Sequence, residues 1–222
     1  MQIMRLGFSR TGMLGSAALI GIALTTASGN AAFAQNWNGT YAGVSLGYGM
    51  QKDHWAPQGA QDFWDNARGA IGGVQAGYNW QSGSVLAGIE GDYLFSGIKG
   101  STTCAGTPDT CSTNLNGLGS VRGRLGWVAT PSAMFYFTGG LAWGSLQYKD
   151  TVAGGVGFTH TSTGAVLGAG SEFMLSRNWT LKAEYLHYDL GKITAGAADF
   201  SGTPTDFRVK TDTFRLGLNY KF

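Results

Sequence analysis

Val85-Leu86-Ala87-Gly88-Ile89-Glu90-Gly91-Asp92-Tyr93-Leu94-Phe95 alternates between two kinds of surface. On an extended chain Val85, Ala87, Ile89, Tyr93 and Phe95 share one face, while Glu90 and Asp92 lie on the other. A period of two marks a β-strand. Two closed sheets suit such a strand. A soluble, ligand-carrying barrel turns its apolar face inward. A membrane barrel turns that face outward to lipid and keeps its polar face inside. The next segment of the same period, 118–128, places Val121, Leu125 and Trp127 on the apolar face and Arg122 and Arg124 on the other. Consecutive antiparallel strands set these cations beside Glu90 and Asp92. An inner surface built for an apolar ligand could not hold such charges. A packed polar interior could, provided that the signs balance, because a buried ion costs several kcal/mol unless it is paired.

The same period recurs outward from these two segments. Strands are expected near 40–50, 70–81, 85–95, 118–128, 133–147, 161–175, 179–190 and 210–222. The fifth has two apolar faces, so its orientation is left open. The remaining off-face charges are Glu172, Lys182, Glu184 and Arg215. With the first four they make a balanced set, and Gly43, Gly47, Gly73, Gly77, Gly168, Gly170 and Gly217 leave room for it. Connections alternate between short (81–84, 129–132 and 176–178) and long (51–69, 96–117, 148–160 and 191–209), the pattern of short turns at one end of a membrane barrel and loops at the other. Trp80, Trp127 and Trp179 sit beside the short turns, with Tyr220 and Phe222 at the same level. Tyr48, Tyr93 and Phe95 mark the opposite ends. Two aromatic bands fit two membrane interfaces.

The ends of the chain set the compartment. Arg5 and Arg10 precede an apolar stretch of small and aliphatic residues, and Ala32-Phe33-Ala34 follows as an A-x-A site. This is the order of a cleavable secretory signal peptide over 1–34, leaving a mature domain of 35–222. Lys and Arg number 15 and Asp and Glu 13; loss of Arg5 and Arg10 with the leader makes the two equal, which argues against nucleic acid as a partner. No stretch beyond residue 34 is apolar for the roughly 18 residues a spanning helix needs. At the other end Phe214, Leu216, Leu218, Tyr220 and Phe222 alternate to a terminal aromatic carboxylate, which resembles the signal read by the outer-membrane barrel assembly machinery.

Further blocks carry a family resemblance. Thr138-Gly139-Gly140-Leu141-Ala142-Trp143-Gly144, Gly168-Ala169-Gly170-Ser171-Glu172, Trp179-Thr180-Leu181-Lys182-Ala183-Glu184-Tyr185 and Asn36-Trp37-Asn38-Gly39-Thr40-Tyr41-Ala42-Gly43 resemble the small alphaproteobacterial outer-membrane surface antigens. These are often labelled porin family and are related to opacity proteins and the OmpA barrel. The resemblance implies surface exposure in a Gram-negative outer membrane, and some members of the family bind haemin or act in adhesion. The fold class expected is all-β: an eight-stranded antiparallel transmembrane up-and-down β-barrel preceded by a signal peptide. The partners expected are outer-membrane lipid, the assembly machinery and a surface ligand of the long loops, either haemin or a host or environmental molecule. The function expected is a structural or interaction role carried by those loops. The alternatives are a narrow pore or haem receptor, and then a lipid-modifying enzyme.

Catalytic and metal motifs are weak. Gly43-Val44-Ser45-Leu46-Gly47 matches a nucleophile elbow, but that motif needs a strand-to-helix turn and here lies in mid-strand. His54 and His160 fall in or near loops. His187 lies near the outer end of its strand with Asp189 two residues on and no serine at a matching position. No enzyme activity, cofactor or metal site is expected. Cys104 and Cys111 both fall in the second long connection, in a compartment that oxidises thiols. A disulfide between them would close a short ring and stabilise mainly that segment, by about 2–3 kcal/mol. Protein taken from cells is therefore expected to show no alkylatable thiol by mass spectrometry before reduction, and Cys104→Ser is expected to leave the barrel folded. Two alkylated cysteines in unreduced protein would refute the bridge.

Overall fold

The computed structural model describes residues 36–57, 63–103, 110–150, 157–195 and 205–222. The leader expected over 1–34, and Cys104, lie outside the described residues. The eight strands are β1 (Gly39–Pro57), β2 (Phe63–Ser82), β3 (Val85–Thr103), β4 (Thr110–Thr130), β5 (Ala133–Asp150), β6 (Gly157–Met174), β7 (Trp179–Ala195) and β8 (Thr205–Lys221). Each pairs antiparallel with its sequence neighbours, and β8 pairs with β1 to close the barrel. Closure leaves no unpaired strand edge, which a bilayer does not tolerate.

Alternation sets the two faces. Leu46, Phe137 and Leu141 stand 73, 76 and 72% exposed on the outer surface, while Leu86, Leu94 and Leu118, on the opposite parity, are fully buried in the bore. The fifth strand, whose orientation its sequence left open, turns Phe135, Phe137, Leu141 and Trp143 outward and Met134, Tyr136, Thr138 and Ala142 inward. Its inward apolar residues belong to the packing that closes the bore. Trp80, Trp127, Trp179 and Tyr220 face outward beside the short turns, and Tyr48, Tyr93, Phe95 and Phe214 face outward at the other end of the apolar band. Edge-on and tilted ring contacts tie neighbours together within these bands, as between Trp179 and Tyr220 at 5.2 Å and between Tyr185 and Phe214 at 4.9 Å.

The strands are longer than their apolar alternation. β4 runs for 21 residues and β7 for 17, whereas a tilted strand crosses the hydrocarbon in about 9–11. The excess lies on the side of the long connections. There the outer face no longer meets lipid, so the apolar signal disappears while the hydrogen-bonded ladder continues. Consequently most of the residues expected to form long loops are strand. His54 pairs with Trp64 and Arg208, Cys111 pairs with Thr102 and Asp150, and His160 pairs with Leu146. Cys111 thus belongs to β4 and not to a loop.

Irregularities fall in the same region. The β7–β8 register shifts between Asp189 and Lys192, where Gly191 takes φ +78°. That left-handed conformation suits glycine and permits a bulge. The bulge reverses the alternation, so Leu190 points into the bore and Lys192 points out.

One close approach inside the barrel requires glycine. The hydroxyl and ring of Tyr41 lie over Gly77, where a Cβ would overlap them. Gly91, on the outer surface, has no heavy atom nearer than 3.9 Å to the position of an added Cβ. Gly77→Val is therefore expected to destabilise the barrel by about 1–3 kcal/mol, and Gly91→Ala to stay within about 0.5 kcal/mol of the parent. Urea midpoints from heat-dependent gel mobility report both; equal midpoints would show that Tyr41 does not pack on Gly77.

Candidate functional site

The interior is built in three levels. At the short-turn end Trp37, Leu86, Met134 and Tyr136 form a buried apolar cluster, with Val128 and Met174 packed against it. Trp37 comes from the segment preceding β1 and is held there by its backbone N–H, which donates to Gln81 Oε1 at 2.8 Å, while Asn38 Oδ1 accepts from the Gln81 N–H. At the opposite end a larger apolar cluster fills the bore, with Ile71, Leu94, Ile98, Leu118, Leu146 and Leu186 among its members. This upper plug was not anticipated from the sequence, which suggested a polar interior lined mainly by glycine. Its members occupy inward parity: Ala67, Ile98, Leu115 and Val209 in stretches expected to be loops, and Ile71, Leu94, Leu118, Leu146 and Leu186 inside the expected strands.

Between the clusters lie the eight charged side chains, Glu90, Asp92, Arg122, Arg124, Glu172, Lys182, Glu184 and Arg215, each 6% exposed or less. Arg122 is the centre. Its Nη1 donates to Glu184 Oε1 at 3.0 Å, and its Nη2 donates to Asp92 Oδ2 at 2.9 Å and also to Glu90. Arg215 donates to Asp92 Oδ1 at 3.2 Å and to Glu184. Lys182 Nζ reaches both Glu90 oxygens, at 2.9 and 3.0 Å. Arg124 Nη2 donates to Glu172 Oε2 at 2.7 Å, and its Nη1 lies 3.4 Å from Glu90 Oε2.

The pairing is therefore broader than two strands exchanging charges. Glu90 stands directly opposite Arg122 in the β3–β4 register, but Asp92 faces Ser120 and Arg124 faces Gly88. Arg124's short ion contact is with Glu172 of β6, whereas Glu90 is its longer one. Glu172 lies directly opposite Lys182 on β7, yet Lys182 reaches across to Glu90 on β3. The contacts Arg122–Glu184, Arg215–Asp92, Lys182–Glu90 and Arg124–Glu172 all join β3 or β4 to β6, β7 or β8. They cross the bore and do not run along its wall.

Neutral side chains complete the network. Tyr41 Oη donates to Glu90 Oε2 at 2.7 Å and accepts from Arg124 Nη1 at 2.6 Å. Tyr136 Oη donates to Glu184 at 3.0 Å, and its ring lies 4.0 Å beneath the Arg124 guanidinium. Ser120 donates to Asp92 at 2.6 Å, and Thr180 and Asn219 donate to Glu172 at 2.5 and 2.8 Å. Sequence reading missed these five residues. Inward parity alone would have placed Tyr41, Ser120, Thr180 and Asn219; Tyr136 needed the facing of β5.

Other candidate residues are dispersed. Ser45 of the G-x-S-x-G match is buried in the middle of β1, facing the bore. His187 faces outward, and its Nδ1 lies 2.7 Å from Asp212 of β8. Tyr185 also donates to Asp212, at 2.6 Å.

Comparison with known proteins places this architecture. Residues 17–222 match the model of the outer membrane protein beta-barrel domain. The chain belongs to that outer-membrane β-barrel family. It is 38% identical over 206 residues to the 31 kDa outer-membrane immunogenic protein of Brucella melitensis, covering 84% of each chain. It is 30% identical over 189 residues to the 25 kDa outer-membrane immunogenic protein of the same species, covering 84% of this chain and 80% of that one. Among solved structures, the outer membrane protein OprG from Pseudomonas aeruginosa superimposes with a TM-score of 0.55 at 13% identity, covering 86% of this chain and 99% of that one, a likeness of fold. These relatives are outer-membrane proteins, and the outer membrane is the location of this one.

Removing one member of a buried ion network leaves its partners uncompensated, at about 3–5 kcal/mol. Arg122→Ala is expected to lose stability in that range, and Lys99→Ala, at an exposed position, to change it by less than about 0.5 kcal/mol. Equal urea midpoints in detergent would mean that Arg122 does not hold the interior together.

Proposed function

We propose that this barrel is a closed scaffold of the outer membrane whose role is structural or one of interaction, carried by the long-connection end at the cell surface. The observation that carries the reading is the filling of the bore at three successive levels: an apolar cluster, a neutral charge network and a second apolar cluster. Eight strands enclose a space that side chains can fill, whereas open aqueous channels come with about 16–18 strands. Water and ions crossing here would have to force open both apolar layers and break ion pairs that span the bore. Activity would then reside on the rim, where a rigid scaffold presents variable segments. The relatives' description as immunogenic outer-membrane proteins fits a chain displayed at the surface. The short turns would face the periplasm, as is usual for such barrels, and the C-terminal Phe214, Leu216, Leu218, Tyr220 and Phe222 would serve assembly from that side.

Planar-bilayer recording tests the closed bore. The expected trace is silent or shows small, intermittent events, and liposomes carrying the protein should not swell in a disaccharide. Steady nanosiemens conductance from monomeric protein would replace this reading with transport. Protease added to intact cells tests the orientation: cleavage is expected only at the long-connection end, and a cut at Gly83 or Pro131 would invert the topology.

A further inference from the structure

The outer surface carries cations in an unusual arrangement. Lys52 of β1 stands directly opposite Lys210 of β8, Arg68 of β2 opposite Lys99 of β3, and Lys192 of β7 opposite Arg208 of β8. All six side chains are exposed. Directly opposed residues of an antiparallel pair have Cβ atoms about 4.5–5.5 Å apart, and like charges there are destabilising. Three such pairs lie on five consecutive strands of the closed sheet, β7-β8-β1-β2-β3. Lys192 is there because the bulge at Gly191 reverses the alternation of β7. Among the described side chains, the acids on this face are Asp189 and Asp212. Asp189 Oδ2 lies 3.9 Å from Lys210 Nζ, and Asp212 accepts from Tyr185 and lies against His187. Among the described side chains of this face, six cations thus stand with two acids.

The level of the belt identifies an anionic partner for it. On β1 the outward apolar series Val44, Leu46, Tyr48, Met50 ends two residues before Lys52. On β3 the aromatic pair Tyr93 and Phe95 precedes Lys99 by a few residues, and on β8 Phe214 follows Lys210 by four. At about 3.3 Å per residue on a tilted strand, the cations stand roughly 5–10 Å beyond the aromatic girdle. That is the headgroup layer of the leaflet at the long-connection end.

We propose that this half-belt is a docking surface for the phosphorylated headgroup of an outer-leaflet glycolipid, with each opposed cation pair clamping phosphate oxygens. Two amines or guanidinium groups at cross-strand spacing can donate to one phosphate from both sides, and charge-assisted bonds of this kind are the strong ones. The acyl chains of the same lipid would lie on the apolar band directly below. On the β4–β6 side the described residues at this level are Asn114, Gln147 and Thr161. The placement in the outer leaflet rests on the orientation proposed above, but the binding itself does not.

The test uses folded protein in phosphatidylcholine nanodiscs, where both leaflets are alike and orientation does not matter. Each disc is doped with bis-phosphorylated lipid A or with the same glycolipid after enzymatic dephosphorylation, and bound lipid is counted by native mass spectrometry after release from the disc. The parent protein is expected to retain the phosphorylated form about tenfold or more over the dephosphorylated one, given the pull of several surface cations on an anionic lipid. The combined Lys52→Gln, Arg68→Gln, Lys210→Gln variant should lose that preference. Arg177→Gln with Lys221→Gln, at the short-turn end, should keep it. Millimolar inorganic phosphate should not displace the lipid. Equal retention of the two lipids by the parent, an unchanged preference in the triple variant, or displacement by free phosphate would each overturn the proposal. Should the triple variant lose its heat-dependent gel shift, the single variants Lys52→Gln and Lys99→Gln carry the same comparison, each with a partial loss expected. A silent bilayer trace with no lipid preference would reject the belt and leave the closed scaffold standing.

Discussion

Charge neutrality inside a closed sheet is the constraint on which this molecule depends. Four acids and four bases are removed from solvent at one level of the bore, each 6% exposed or less. An ion buried without a partner would cost more than a single hydrogen bond returns, so every member must find opposite charge and fill its remaining hydrogen-bonding capacity. The side chains of β3 and β4 find opposite charge in those of β6, β7 and β8, although the Nε atoms of Arg122, Arg124 and Arg215 are buried without an acceptor. The strand wall alone fixes only neighbours; the ion contacts fix opposite walls against one another. Register, strand number and bore width are thereby coupled. A one-residue slip of β4 would carry Arg122 and Arg124 to the lipid face and strand their carboxylates inside.

The apolar clusters make this network effective. Water at the level of Arg122 would screen the ion pairs and weaken their hold, since interactions between charges fall as the surrounding dielectric rises. Leu94, Leu118 and Leu186 above and Leu86, Met134 and Trp37 below exclude it. The aromatic floor has a second use. Tyr136 belongs to it and also donates to Glu184, and its ring lies beneath Arg124. One side chain thus joins the dry layer to the charged one.

Much of this was legible in the sequence because lipid imposes a strict rule on the outer face. Wherever a strand crosses the hydrocarbon, every second residue must be apolar, and Val85 to Phe95 or Phe214 to Phe222 display the rule openly. The off-face charges followed by parity. Legibility failed where the rule lapses. Beyond the bilayer the outer face of β1 carries Lys52 and that of β2 carries Arg68, so the period vanished and strand was mistaken for loop. In β5 both faces are apolar, since Phe137 meets lipid while Met134 and Ala142 pack inside, and periodicity cannot separate those two causes. The exchange of partners between Glu172 and Lys182 was invisible for another reason: register names the nearest neighbour, whereas long side chains in a narrow bore reach the opposite wall. Of the outer plug, Ala67, Ile98, Leu115 and Val209 were hidden in stretches expected to be loops, whereas Ile71 and Leu146 lay on the inward parity of expected strands.

The strands that continue past the membrane have an evolutionary consequence. Loops ordinarily let a surface protein vary by insertion and deletion. Here much of the projecting region is hydrogen-bonded ladder, in which a single inserted residue would reverse every side chain beyond it unless a bulge absorbed the shift, as at Gly191. Inward positions such as Ala67, Ile98 and Val209 are held by packing, whereas their outward neighbours touch neither core nor hydrocarbon. Divergence of the projecting staves should then accumulate at alternate residues. Length changes should be confined to the connections between strands. The barrel could alter the chemistry it displays to its surroundings through half of its residues without disturbing the frame that displays it.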